Sequence, residues 1–121
     1  MSKLILHVDD EPEIRDILEL ALGGRGHRVV AAASAFEASK LAEKERPDLI
    51  VADMQLADRD GLELIRELRV KLPGVPVVLL TGVLIDPRVA EKSLGQEVDL
   101  YLSKTTPLQK IIAELEQLLK R

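Results

Sequence analysis

Five side chains able to do metal or phosphoryl chemistry stand where apolar runs stop. Asp9 and Asp10 follow "LILHV", Asp53 follows "LIVA", Thr81 follows "VVLL", and Lys104 follows "DLYLS". Carboxylates gathered in one crevice repel one another and raise each other's pKa values, unless a cation is shared among them. The candidate ligands are hard oxygens and the chain has no cysteine, so Mg²⁺, or Mn²⁺ in its place, is the expected ion rather than zinc. Mg²⁺ combines a few carboxylates with waters and phosphate oxygens and leaves room for a phosphoryl group. Phosphoryl transfer asks for an in-line nucleophile, a metal and a fixed positive charge. Asp53, Mg²⁺ and Lys104 would supply these.

These residues meet only if the strands carrying them are parallel and share one edge. The apolar runs Leu4–Val8, Arg28–Ala32, Leu49–Ala52, 75–80 and 98–102 are rich in Val, Ile, Leu and Ala without clear alternation, which suits a parallel sheet covered on both faces. Helical patterns lie between them. Pro12 opens one at its first position, with Ile14, Ile17, Leu18 and Ala21 on one face, and Gly23 and Gly24 end it. Ser34 with Glu37, and Asp60 with Glu63, form capping boxes ahead of the second and third. Asp86 and Pro87 start a fourth, carrying Val89, Ala90 and Leu94. Thr106, Pro107 and Gln109 start a fifth, with the clearest stripe: Leu108, Ile111, Ile112, Leu115 and Leu119. The pattern predicts an α/β fold, a (βα)5 doubly wound parallel five-stranded sheet in one domain over residues 1–121. In such sheets ligands bind outside the carboxyl ends of the strands, where all five residues fall.

Composition closes other routes. The chain is 46% hydrophobic and 31% charged, too apolar for disorder, and no apolar run is long enough to span a bilayer. No secretory signal pattern opens it, so a cytoplasmic location is expected. A net charge of -4 with one Tyr and one Phe argues against direct nucleic-acid binding.

With these motifs in hand, the chain resembles the receiver domain of bacterial two-component response regulators, of the single-domain, chemotaxis-regulator type. The likeness runs from "ILHVDDEP" through "PDLIVADMQLADRDG" and "VVLLTG" to "DLYLSK". It implies a flavodoxin-like sheet in strand order 2-1-3-4-5. It further implies that Asp53 accepts a phosphoryl group from a histidine kinase or a histidine phosphotransfer protein. Asp10 would be a direct Mg²⁺ ligand, Asp9 would act mainly through a bound water, and the Gln55 carbonyl would complete the protein ligands. Lys104, the Thr81 hydroxyl and the Gly82 N–H would hold phosphoryl oxygens. Thr81 and Tyr101 would form the switch, and the fourth helix, fifth strand and fifth helix would present the output face to a downstream protein. The protein would be a monomer or a phosphorylation-dependent dimer, and would not turn over substrate as an enzyme does.

Two departures from the family pattern stand out. Thr105 replaces the proline that usually follows the lysine after a cis peptide. A cis bond before a non-proline residue costs about 2.5–4 kcal/mol, so the Lys104–Thr105 bond is expected to be trans. Ala57 replaces a proline in the loop after Asp53, which restores backbone freedom there. Val83, two residues beyond Thr81, cannot orient a water, whereas Gln55 could hold or obstruct one; slow hydrolysis of the acyl phosphate is therefore expected.

Other readings compete. A Mg²⁺-dependent phosphatase with an aspartyl nucleophile would need D-x-D-x-T or D-x-D-x-V spacing, which "DDEPE" does not supply. A pseudo-receiver that binds without phosphorylation would have lost acidic residues or the lysine, and neither is lost. Taken singly, each site residue has a plain structural reading as a cap, turn or solvated charge; together they fall on one sheet edge. His7 reads as a packed core histidine, His27 as part of an exposed turn, Asp58 and Asp60 as loop and cap residues. The run from Lys40 to Arg46 reads as the wet face and end of the second helix. For what lies beyond the fifth helix, a free-standing regulator, a relay intermediate and the first domain of a longer protein fit the sequence equally well.

Overall fold

The computed structural model describes residues 3–82 and 97–120. Strands β1 (Leu4–Val8), β2 (Arg28–Ala32), β3 (Leu49–Ala52), β4 (Val77–Thr81) and β5 (Leu100–Ser103) form one parallel sheet in the order β2-β1-β3-β4-β5. Helices α1 (Pro12–Gly23), α2 (Ala35–Lys44), α3 (Gly61–Lys71) and a C-terminal helix (Leu108–Leu119) complete the described elements. The predicted fourth helix from Asp86, and Val83, lie outside the described residues.

Successive strand residues point to opposite faces, so the apolar runs divide between two cores. Ile5, Leu49, Val51, Val78, Leu80 and Leu102 pack with Leu18 and Leu22 of α1 and with Ile111, Ile112 and Leu115 of the C-terminal helix. Leu6, Val8, Ile50, Ala52, Val77 and Leu79 pack with Ala38 of α2 and with Leu64, Ile65 and Leu68 of α3. A strand buried on both sides cannot alternate apolar with polar, which is why the sequence shows none.

Helix starts follow local chemistry. Ser34 Oγ accepts from Glu37 N–H, and Asp60 Oδ1 accepts from Leu62 N–H. The start of α2 has a second cap that sequence spacing does not reveal: Asp58 accepts from the N–H groups of Ala35 and Phe36, both at 3.0 Å, across 23 and 22 residues. The peptide bonds are all trans among the described residues, Lys104–Thr105 included.

Strand limits shift slightly from the sequence reading. Val75 N–H turns back to Leu72 O and Pro76 has no N–H to give, so β4 begins at Val77 and runs through Thr81. Asp99 bonds Val77 through both its backbone N–H and its carboxylate, and β5 begins only after it. His27 is a correction. Gly26, at φ +89°, takes the left-handed turn, and the His27 ring then lies against the C-terminal helix with Nε2 3.2 Å from Glu116 Oε2. It is half-buried and shares Glu116 with Arg25, and is not an exposed turn residue.

Candidate functional site

Three of the sequence-selected residues sit one step past a strand end and extend the ladder by one bond. Asp9 N–H donates to Ala32 O, Asp53 N–H to Val8 O, and Lys104 N–H to Thr81 O, at 3.0, 3.0 and 2.9 Å. Their backbones are therefore as fixed as the strands. The period of two puts Asp9 with Ile5 and His7, Asp53 with Leu49 and Val51, and Lys104 with Leu100 and Leu102, all on the α1 and C-terminal-helix side.

The side chains converge. Lys104 Nζ lies 2.8 Å from Asp9 Oδ2, 3.0 Å from Asp53 Oδ2 and 2.8 Å from Glu11 Oε1. Asp9, Asp10, Glu11 and Asp53 each bring a carboxylate oxygen within 4.8 Å of the others. Asp9 and Asp53 are buried, whereas Asp10 and Glu11 are exposed. Glu11 is the member that residue-by-residue reading missed. Its signal in the sequence is its place in "DDEP", directly after the two aspartates.

Burial raises the Asp9 pKa above the usual carboxylate value and the charge of Asp53 adds to this, while Lys104 and the Glu11 N–H work against it. Burial likewise opposes the Lys104 ammonium, but its three carboxylate partners outweigh that penalty and hold its pKa above the ordinary lysine value. Asp9 Oδ1 is held by the Glu11 N–H at 2.9 Å. Asp9 Oδ2 is buried and, although it is an ion-pair partner of Lys104, receives no well-directed hydrogen bond among the described residues. A buried carboxylate oxygen left with only a point charge beside it suits a cation ligand.

Gly61 is the other residue the sequence reading passed over. It opens α3 with its N–H donating to Met54 O at 2.6 Å, and a Cβ there would overlap the main chain of Asp53 and Met54. Only glycine lets the helix start so close behind the aspartate. The loop between is closed by an antiparallel bridge from Gln55 to Asp60. Gln55 itself is exposed, with its N–H 3.4 Å from Asp53 Oδ1.

Thr81 ends β4 fully buried, beside Lys104 through the backbone bond already described. Gly82 is exposed and lies alongside the Lys104 stem. Tyr101 does not join the cluster. It pairs with Leu79, on the opposite face of the sheet from Lys104, and packs half-buried against the α2 and α3 core. Its place on the face that also carries Thr81 is set by strand parity. His7 is 1% exposed, and neither ring nitrogen has a hydrogen-bond partner among the described residues. Burial lowers its pKa to about 4, with the positive charges of Lys104 and Arg15 adding to the effect. It is a neutral core histidine beneath the acidic cluster, as its apolar run suggested.

Comparison with known proteins decides the family. The profile described as "Response regulator receiver domain" matches residues 5–116. The chain belongs to the response regulator receiver domain family. Among curated relatives, the receiver is similar to the alkaline phosphatase synthesis transcriptional regulatory protein PhoP of Bacillus subtilis, with 37% identity over all of this chain and 50% of that protein. It is also 34% identical, over 97% of this chain and 50% of the relative, to the probable transcriptional regulatory protein TcrX of Mycobacterium tuberculosis. The chain thus spans about half the length of these relatives. Among solved structures, the BeF3-activated N-terminal receiver domain of Klebsiella pneumoniae RstA matches with a TM-score of 0.88 and 33% identity, covering 98% of this chain and 99% of that one. A CheY-like receiver domain protein from Methanospirillum hungatei matches with a TM-score of 0.91 and 28% identity, over 99% and 95% of the two chains.

Membership makes this a response regulator receiver domain of two-component signalling. Among the described residues no helix is long and apolar enough to cross a membrane. Because these relatives are named as transcriptional regulators, the comparisons do not support the expectation of no nucleic-acid partner.

Proposed function

We propose that residues 1–121 act as one Mg²⁺-dependent phosphoacceptor unit with Asp53 as the accepting residue. The observation that carries this reading is the shared hold of Asp9, Glu11 and Asp53 on one ammonium, Lys104, at the carboxyl edge of the sheet. Among the described residues, four carboxylates gather around the Lys104 ammonium and leave negative charge to be balanced, and Asp9 Oδ2, paired with that ammonium but not well hydrogen-bonded, fits a divalent ion. Asp9, Asp10, Asp53 and the Gln55 carbonyl would hold it, with Mn²⁺ able to substitute. The ion would offset the charge of the phosphoryl oxygens as they approach the carboxylates.

The Asp53 main chain is fixed by its ladder bond and by Gly61 behind it, which limits the motion its carboxylate needs to meet the donor. An oxygen of Asp53 attacks the phosphorus of a phosphohistidine on a histidine kinase or phosphotransfer protein. The P–N bond breaks, its electron pair stays on the imidazole, which takes up a proton from solvent, and an aspartyl phosphate forms. Lys104 is close enough to Asp53 to follow a phosphoryl oxygen. Thr81 and Gly82 would hold the others, and the Thr81 displacement would be felt by Tyr101 on the same sheet face. The output surface would include β5 and the C-terminal helix, and would dock a downstream protein or a second copy. The intact acidic set and lysine favour this over a pseudo-receiver, and the family over a turnover phosphatase. Val83 keeps hydrolysis of the acyl phosphate slow; Val83→Glu is expected to quicken it, and an unchanged dephosphorylation rate would refute that part.

Intact-mass measurement after incubation with acetyl phosphate tests the main reading. A gain of one phosphoryl group that requires Mg²⁺ and is lost in Asp53→Asn is expected. An adduct that persists in the asparagine variant would mean a different nucleophile.

A further inference from the structure

Glu11 is joined to the site twice. Its N–H fixes Asp9 Oδ1, and its own carboxylate reaches Lys104 Nζ at 2.8 Å. It stands at the N-cap of α1 (φ −89°, ψ 112°), yet its side chain makes no capping bond. A short Asp or Ser at that place would turn its oxygen onto the helix N–H groups. The longer arm of Glu11 is free for the lysine.

The three partners of Lys104 differ in depth. The side chains of Asp9 and Asp53 are 0% and 6% exposed, whereas that of Glu11 is 53% exposed and sits at the rim. A divalent ion bound by Asp9 and Asp53 would claim the oxygens that now face the ammonium. Two cations sharing these oxygens repel strongly where water screens them poorly. The ammonium must then withdraw, and its third carboxylate already lies within contact distance on the solvent side.

We infer that Glu11 is the positioning residue that receives the Lys104 ammonium when a divalent cation takes Asp9 and Asp53. Metal entry and lysine withdrawal are then one exchange, and the lysine stays near Asp53 instead of swinging into solvent. The inference rests on the reading of the acidic cluster as a divalent-ion site. It differs from a role for Glu11 as a metal ligand, because its effect on the metal runs through Lys104.

Calorimetric titration of Mg²⁺ into the unphosphorylated 121-residue chain tests it, in the native and Lys104→Met backgrounds. Glu11→Asp keeps the charge but shortens the arm, and Glu11→Gln keeps the reach but loses the charge. Each is expected to weaken Mg²⁺ binding about fivefold when Lys104 is present. In the Lys104→Met background the loss should shrink to twofold or less. Equal losses in both backgrounds would make Glu11 a ligand and overturn the inference, as would native affinity in Glu11→Asp. A native chain that binds no Mg²⁺ would instead sink the proposed phosphoacceptor reading, and this exchange with it.

Discussion

The main chain of Gly61 lies directly behind the main chain of Asp53, with its N–H bonded to Met54 O and no room for a Cβ. The start of α3 thereby serves as a backing plate for the phosphoacceptor candidate. Gly61→Ala should force the helix start away from Asp53. It is expected to cost about 1–3 kcal/mol, or more, by overpacking against backbone that cannot yield. Urea denaturation measures this, and a variant as stable as the native protein would contradict the contact.

Lys104 is the cation that holds Asp9, Glu11 and Asp53 together, so its loss leaves buried negative charge unpaired. Lys104→Met is expected to lower stability at pH 7 by about 3 kcal/mol without divalent ions. Millimolar Mg²⁺ should restore most of this. Thermal melts with and without Mg²⁺ check the pair of expectations, and a variant indifferent to Mg²⁺ would speak against a metal at this cluster.

His7 links stability to pH. Its pKa is lowered to about 4 in the folded state, against about 6.5 in an unfolded chain. The unfolded state therefore binds the proton first, and the folded state loses stability as pH falls from about 6.5 toward 4. His7→Leu removes both the titration and two unpartnered ring nitrogens. The difference in unfolding free energy between variant and native should grow by about 3 kcal/mol across that window. A difference independent of pH would show that the ring is not held neutral.

Asp58 ties the loop after Asp53 to α2. Its bonds from Ala35 and Phe36 N–H groups lower its pKa. A depressed carboxylate contributes stability above its unfolded pKa of about 3.9, and the contribution is lost as pH falls through the lower folded value. Asp58→Ala is expected to cost about 1 kcal/mol at neutral pH, the usual worth of a helix cap. Denaturation at pH 7 and pH 3 should show the gap narrowing in acid.

Much of the fold was legible because its signals are local. Five apolar runs, the caps at Ser34 and Asp60, and Pro12 at a first helical position each act within a few residues, and the structure has those elements. The limits of β4 and β5 were less legible, since Pro76 and Asp99 set them through bonds to other segments. The cap from Asp58 to α2 spans 23 residues and leaves no pattern in spacing. His27 was misread for the same reason: its partner Glu116 lies 89 residues away.

The sequence alone determined which residues could act, because strand ends can be read from where apolar runs stop, and hard oxygens with one lysine admit few chemistries. Tertiary structure decided how they share charge. Only the packed sheet brings Glu11 onto Lys104 across 93 residues, sets Gly61 behind Asp53, and sends Tyr101 to the other face. Such relations depend on distances between strands, which pairing and side-chain parity set together, and no local stretch of the chain encodes them.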